Sequence, residues 1–263
     1  MKILILNASP KSTGSASAFF SSLLRLFLAG CKVKTCPLRG ARDHKRAVAL
    51  LLWADAVVIS APVYVDATPA HVIAFLEQAE QLCGEKPFPF KLYVISNCGF
   101  IEGHQNELHL RIYEAWCQRA GVCWGGGLVI GGGVILRWMC MLTVLFAVLG
   151  TLRLILTAQG VLLTAHVIFS CYSSMIVTLA MSLGAAICLA ILGHRIKYGT
   201  CRKNLFTRCW MPSFVFIPIS DAFMLLSALA HGNLPHTLSR RQVCSVETEE
   251  NTHTNKGLTE GIS

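Results

Sequence analysis

The chain has 263 residues, of which 54% are hydrophobic and only 14% are charged. An average soluble domain is about 25% charged, so this composition excludes a wholly soluble protein. The net charge of +9 is typical of the basic bias beside membrane segments, because the densest basic stretch, residues 195–208, directly follows the most apolar part of the chain. Nucleic-acid binding would need a basic face with interleaved aromatic residues, so no nucleic-acid partner is expected.

The first 130 residues alternate short apolar runs with helical patterns. Strands are predicted at Lys2–Leu6, Lys32–Cys36, Asp55–Ser60, Lys91–Ser96 and Val122–Ile130. Helices are predicted at Ala16–Leu28, from a cap at Asp43 to Trp53, from Thr68 to Leu82 and at Glu107–Ala120. Alternating strands and helices predict right-handed βαβ units and a doubly wound, five-stranded parallel sheet of the flavodoxin-like α/β class, with strand order 2-1-3-4-5.

An apolar region follows, and it carries only three basic residues and no acidic residue between positions 134 and 193. Its length from Leu136 to Leu192 is sufficient for two transmembrane helices joined near residues 157–160, since one span needs about 20 residues. Burial of Leu136–Leu156 as a core helix is the alternative. The segment 212–230 is also apolar but is interrupted by Pro218 and Asp221, and we do not predict a span there.

The chain therefore divides into four parts. These are a flavodoxin-like domain (1–133), an apolar helical hairpin (134–193), a basic segment with an amphipathic helix (194–239) and a disordered tail (240–263). If the chain enters the membrane at Leu136, one face of the sheet lacks its usual covering helix. We expect Ser213–Ala230 to return and cover that face.

The 12 cysteines are scattered, with no CxxC pair and no cysteine–histidine spacing typical of zinc ligands. Met1–Leu6 resembles the start of a strand and not a signal peptide. We therefore expect reduced thiols, no metal site and a cytoplasmic N-terminal domain.

Three loops converge where the carboxyl ends of the strands meet, which is the ligand-binding edge in this fold. The first, Asn7–Ser15, is rich in hydroxyl groups, contains Gly14 and enters a helix N-terminus, a combination that favours a phosphate group. It lacks both the dinucleotide-binding and the P-loop glycine patterns. A polar helix cap without a ligand is the alternative.

The second loop, Pro62–Val65, brings an aromatic ring to the same edge, and the third, Asn97–Phe100, brings an amide and a thiol. A flat heteroaromatic ring can lie against Tyr64, while Asn97 and the backbone can bind the polar edge of that ring. The alternatives to ligand binding are that Tyr64 merely covers the end of the sheet and that Cys98 is a buried, inert thiol.

Taken together, the motifs NASPKSTGS at 7–15, APVY at 61–64 with TP at 68–69, and VISNCGF at 94–100 resemble the NADPH-dependent FMN reductase family. The resemblance covers residues 1–133. It implies that the first loop binds the FMN phosphate through Ser9, Lys11, Thr13, Gly14, Ser15 and Ala16. It implies that the other two loops hold the flavin ring through Pro62, Val63, Tyr64, Val65, Asn97, Cys98, Gly99 and Phe100.

The resemblance implies an oxidoreductase that passes electrons from NADPH or NADH through FMN to an acceptor, and relatives in this family are often homodimers. Some relatives bind an iron–sulfur cluster after the second strand, but residues 37–44 are short and hold no cysteine cluster, so none is expected here. With the apolar hairpin, the prediction is a flavoprotein at the cell membrane with a cytoplasmic flavin domain. A non-enzymatic electron carrier, a flavin-binding sensor, and a domain that has lost its ligand are the alternatives.

Overall fold

The computed structural model describes residues 1–64, 67–83, 88–158, 165–230 and 232. Three elements of the sequence predictions lie outside these described residues. They are Val65 in the second loop, part of the turn at 157–160, and the tail from residue 240.

The fold is an α/β sheet with six parallel strands in the order β2-β1-β3-β4-β5-β6. The strands are β1 (Lys2–Asn7), β2 (Lys32–Pro37), β3 (Ala56–Pro62), β4 (Lys91–Asn97), β5 (Cys123–Ile130) and β6 (Leu205–Thr207). The predicted flavodoxin-like class and the order 2-1-3-4-5 are confirmed. The central strand β3 is buried at every residue, as the apolar run 56–59 at its start predicts.

The sixth strand is a correction, because the sequence predicted five. β6 has only three residues and lies in the basic segment, too short for an apolar pattern to reveal it. It pairs with Leu128–Ile130 of β5, and side chains next to it support the pairing. The Asn204 carboxamide oxygen accepts a hydrogen bond from Gly127 N at 2.9 Å, and the Thr207 hydroxyl accepts one from Gly131 N at 3.2 Å.

Seven α-helices accompany the sheet in the described residues. They are α1 (Ala16–Phe27), α2 (Ala41–Leu51), α3 (Ala70–Cys83), α4 (Glu107–Ala120), α5 (Gly133–Ala158), α6 (Ala165–Lys197) and α7 (Ser213–Ala230). Ser15 caps α1, and Gly121 ends α4 in the left-handed conformation, φ +64°. The N-cap of α2 is Gly40 and not Asp43, whose carboxylate instead accepts a hydrogen bond from Arg39 N at 3.2 Å.

The last turns of α6 cover the sheet face beside α1. Leu189, Leu192 and Ile196 are fully buried there, and a Cβ on Gly193 would come within 2.7 Å of Phe27 Cβ. Helix α6 therefore has the covering role that was predicted for Ser213–Ala230. Because residue 193 is a glycine, the last turns of this 33-residue apolar helix can pack closely against α1 and become part of the domain core.

Beyond the sheet, α5 and α6 form an antiparallel hairpin whose side chains are mostly exposed and apolar, such as Val144 at 64% and Ile176 at 60% exposure. Three helical segments are long and apolar enough to cross a membrane: Gly133–Thr157, Phe169–Lys197 and Ser213–Ala230. The third, α7, belongs to a separate compact unit that begins at Pro212. No span was predicted from the sequence at α7 because of Pro218 and Asp221, which both lie inside the helix.

Candidate functional site

The three predicted loops meet at the carboxyl edge of the sheet, where hydrogen bonds link the ends of β1, β3 and β4. Ala8 N donates to Ser60 O at 2.8 Å, and Val63 N donates to Asn97 O at 2.9 Å. Asn97 is buried, and its amide nitrogen donates to the Ser17 hydroxyl at 2.8 Å and to Ala61 O at 3.3 Å. Asn97 therefore joins the third loop to α1 and to β3.

The first loop forms a turn that leads into α1. Ser9 is buried, and its hydroxyl accepts a hydrogen bond from Lys11 N at 3.3 Å, while the Ser15 hydroxyl oxygen accepts one from Ala18 N at 3.1 Å. Gly14 has φ +65°, a conformation that favours glycine. Lys11 and Thr13 are exposed, and Ala16 begins α1.

This loop fits a phosphate group. Within the described residues, the backbone N–H groups of residues 13–16 have no hydrogen-bond acceptor, so they can bind an anion at the helix start. The first turn of α1 contains no acidic residue. The Ser15 hydroxyl keeps its hydrogen for a ligand while its oxygen caps the helix.

Two arginines that were not predicted as site residues contact the first loop. Arg39, from the turn after β2, donates to Ser9 O at 3.3 Å and to Ser12 O at 3.2 Å. Arg137, from the second turn of α5, donates to Gly14 O. No sequence pattern indicates that Arg39 contacts the first loop. Arg137 does carry a signal, because a charged residue inside an apolar helix usually has a partner or a function.

The second loop carries an exposed aromatic ring. Tyr64 is 48% exposed, and its backbone forms an isolated antiparallel bridge with Ala67. Burial of the hydroxyl raises the pKa of Tyr64, so the phenol remains a hydrogen-bond donor at neutral pH. Pro62 and Val63 lie at the end of β3 beside Asn97.

The third loop is tied to the first residues of α5. Cys98 O accepts a hydrogen bond from Gly133 N at 2.9 Å, and Phe100 O accepts one from Gly132 N. The Cys98 side chain is 4% exposed, which agrees with an inert buried thiol more than with a reactive one. Gly99 has open space around its Cα, and the Phe100 ring is 46% exposed. Two half-exposed aromatic rings at this edge fit a flat ring system.

A buried hydrogen bond fastens the segment after the second loop to α4. The Thr68 hydroxyl lies 3.1 Å from His109 Nδ1, and His109 is fully buried. Burial lowers the pKa of His109 to about 4. The imidazole is therefore neutral in the folded protein over the physiological pH range.

This pKa predicts acid destabilisation. Between the ordinary pKa of 6.5 and the folded value of about 4, the unfolded chain binds a proton at His109 and the folded chain does not. The free energy of unfolding should therefore fall as the pH drops through this window, by up to about 3 kcal/mol. Thermal unfolding of the full chain in detergent, followed by tryptophan fluorescence, measures the effect.

His109→Asn should flatten the pH profile, since asparagine can still bind Thr68 but does not titrate. His104→Asn is the matched control, since it makes the same substitution at a histidine whose side chain is 68% exposed. Identical profiles for the wild type and His109→Asn would contradict the assignment.

Residues 1–122 match the model of the family described as NADPH-dependent FMN reductase. Similar solved structures include an NADPH-quinone reductase from P. pentosaceus (18% identity, 50% of this chain and 86% of that chain, TM-score 0.44) and an NAD(P)H:quinone oxidoreductase from Methanothermobacter marburgensis (16%, 50% and 85%, 0.41). A third is the Trp repressor binding protein from Bacillus subtilis (15%, 49% and 87%, 0.41). No curated protein sequence matches the chain.

The family match confirms the resemblance that the three loop motifs predicted. It supports the predicted class of protein, a flavin-dependent oxidoreductase that uses NAD(P)H, and it supports FMN as the cofactor. The matched residues contain all three loops but end before α5 begins. The apolar hairpin is therefore outside the part of the chain that the family accounts for.

Proposed function

We propose that this protein is a membrane-anchored NAD(P)H oxidoreductase that passes electrons through FMN to an acceptor at the membrane. The observation that carries the proposal is the connection between the flavin loops and α5. Gly132, Gly133 and Arg137 bind the third and first loops directly. The start of the apolar hairpin is therefore hydrogen-bonded to the loops of the predicted flavin site.

Residues of all three loops, together with Arg39, would hold the FMN cofactor. The N–H groups of residues 13–16 and the Ser15 hydroxyl would bind the phosphate, and Arg39 would keep the loop in shape through the carbonyl oxygens of Ser9 and Ser12. Tyr64 and Phe100 would hold the flavin ring, and the backbone of the third loop would bind its polar edge. Bound FMN supplies hydride acceptance from the nicotinamide and onward electron transfer.

The dimensions of the hairpin support anchoring. Residues 138–158 of α5 and 165–184 of α6 each span about 30 Å, the thickness of the bilayer core. An exposed tryptophan lies at the domain end of each segment. Trp138 is the first residue of the α5 segment. Trp210 lies next to Gly184, the last residue of the α6 segment, with its indole nitrogen 3.4 Å from where a Cβ on Gly184 would be. Tryptophan prefers the membrane–water interface, and the basic residues at 195–208 favour a cytoplasmic flavin domain.

One experiment tests both parts of the proposal. Membranes from cells that express the full chain are washed with alkaline carbonate and solubilised in mild detergent, and the absorbance spectrum is recorded before and after NADPH. We expect the protein to stay in the membrane and its flavin bands to bleach with NADPH. Bands that bleach only with dithionite would favour a carrier or sensor, and the absence of flavin after incubation with FMN would contradict the site.

Extraction of the protein by carbonate would contradict membrane anchoring but not flavin binding. A double variant tests anchoring more directly: Val144→Glu with Ile176→Glu places two carboxylates on exposed apolar positions of α5 and α6. In a soluble protein these exposed changes should be harmless, whereas at the centre of a bilayer each costs about 3 kcal/mol. Loss of membrane retention in this variant, with flavin binding preserved, would support the spans.

A further inference from the structure

Arg137 is a charged residue inside an apolar helix. It is the fifth residue of α5 and is half-buried, and within the described residues no carboxylate forms an ion pair with it. Its guanidinium donates to Gly14 O, and the second terminal nitrogen lies 3.6 Å from where a Cβ on Gly14 would be. The cation therefore lies against the centre of the first loop.

The two arginines at this loop differ in how they are used. Arg39 donates to the carbonyl oxygens of two loop residues, so its role is to hold the loop in shape. Arg137 has one recorded acceptor in the described part of the chain, although a guanidinium has five N–H donors. Its contact residue, Gly14, is one of the four residues 13–16 whose backbone N–H groups have no acceptor in that part of the chain either.

We propose that Arg137 is a direct ligand of the FMN phosphate, so that a residue of the apolar hairpin completes the flavin site. The inference rests on the proposed function. It goes beyond the family likeness, because the matched residues end at position 122. A planar guanidinium binds a phosphate through two parallel N–H groups, which is the geometry that a dianionic phosphate group favours.

A consequence follows for the hairpin. If Arg137 binds the phosphate, then FMN binding fixes the second turn of α5 against the first loop, and withdrawal of α5 weakens FMN binding by the same factor. A lipid phosphate is the other source of the same chemistry, since Arg137 lies next to Trp138 at the proposed membrane surface. The experiment must therefore separate FMN from lipid.

The test compares FMN with riboflavin, which has the same ring and no phosphate. Full-length protein is freed of flavin and inserted in nanodiscs of zwitterionic lipid, and each dissociation constant is measured by quenching of flavin fluorescence. In Arg137→Gln we expect FMN to bind about ten- to thirtyfold more weakly and riboflavin to change by no more than about twofold. Arg137→Lys should recover part of the loss because the charge remains.

Arg153→Gln is the matched control, an arginine of the same helix that contacts Cys171 Sγ at 3.6 Å and not the loop. It should leave both constants unchanged. An unchanged preference for FMN in Arg137→Gln would overturn the inference, and a concurrent loss of binding to anionic vesicles would assign Arg137 to lipid phosphate. Equal weakening of FMN and riboflavin would also overturn it, in favour of a purely structural role. A wild-type protein that binds neither flavin would instead overturn the proposed function.

Discussion

Gly14→Asp should weaken FMN binding by about a hundredfold or more. Gly14 lies at φ +65° and next to Arg137, and it is one of the four residues 13–16 whose N–H groups have no acceptor within the described residues. Aspartate tolerates the left-handed conformation better than most residues, so the dominant effect is its carboxylate. That carboxylate would neutralise the Arg137 cation and repel the phosphate. The measurement is the dissociation constant for FMN of the full chain in detergent, by fluorescence quenching.

Gly30→Asp provides a matched control. Gly30 also has a positive φ of +85°, and nothing lies within 4 Å of a Cβ placed there. The substitution therefore introduces the same charge and a similar backbone strain after the other end of α1, away from the loops. FMN affinity should be unchanged in Gly30→Asp, and riboflavin affinity should fall much less than FMN affinity in Gly14→Asp. Similar FMN affinities for both variants would refute the assignment of the first loop to the phosphate.

Gly131→Ala should lower the free energy of unfolding by about 2–3 kcal/mol. A Cβ at this position would lie 2.4 Å from Ile101 O, 2.8 Å from Gly103 N and 2.9 Å from Thr207 O. All three are backbone atoms that cannot move independently, so β6 and the segment after the third loop must shift. Urea unfolding of the full chain in mild detergent, followed by tryptophan fluorescence, measures the change.

The control for this second prediction is Gly40→Ala. Gly40 has an extended backbone with φ −161°, and no atom lies within 4 Å of a Cβ there, so the free energy of unfolding should change by less than about 1 kcal/mol. A shift in Gly131→Ala no larger than in the control would mean that β6 is not firmly packed against the end of β5.

Much of the fold was predictable because its signals are local. A strand that begins with an apolar run, such as Ala56–Pro62, is buried along its whole length, and a glycine that ends a helix, such as Gly121, needs only its own backbone conformation. The same applies to the first loop, where small polar residues before an amphipathic helix indicate an anion site. β6 escaped prediction because three residues have no period, and its pairing depends on Asn204 and Thr207 meeting β5 across about 77 residues of chain.

The sequence by itself determined the parallel α/β class, the strand order of the first five strands, the three loops of the predicted flavin site and the apolar length of the hairpin. Each of these depends on residue type and short-range period. Only the tertiary structure decided that α6 covers the sheet face, that Asn97 serves as a bridge to Ser17, and that Arg39 and Arg137 flank the first loop. The physical reason is distance along the chain: 123 residues separate Arg137 from Gly14, and no local pattern records a contact that exists only when α5 begins at the carboxyl edge of the sheet.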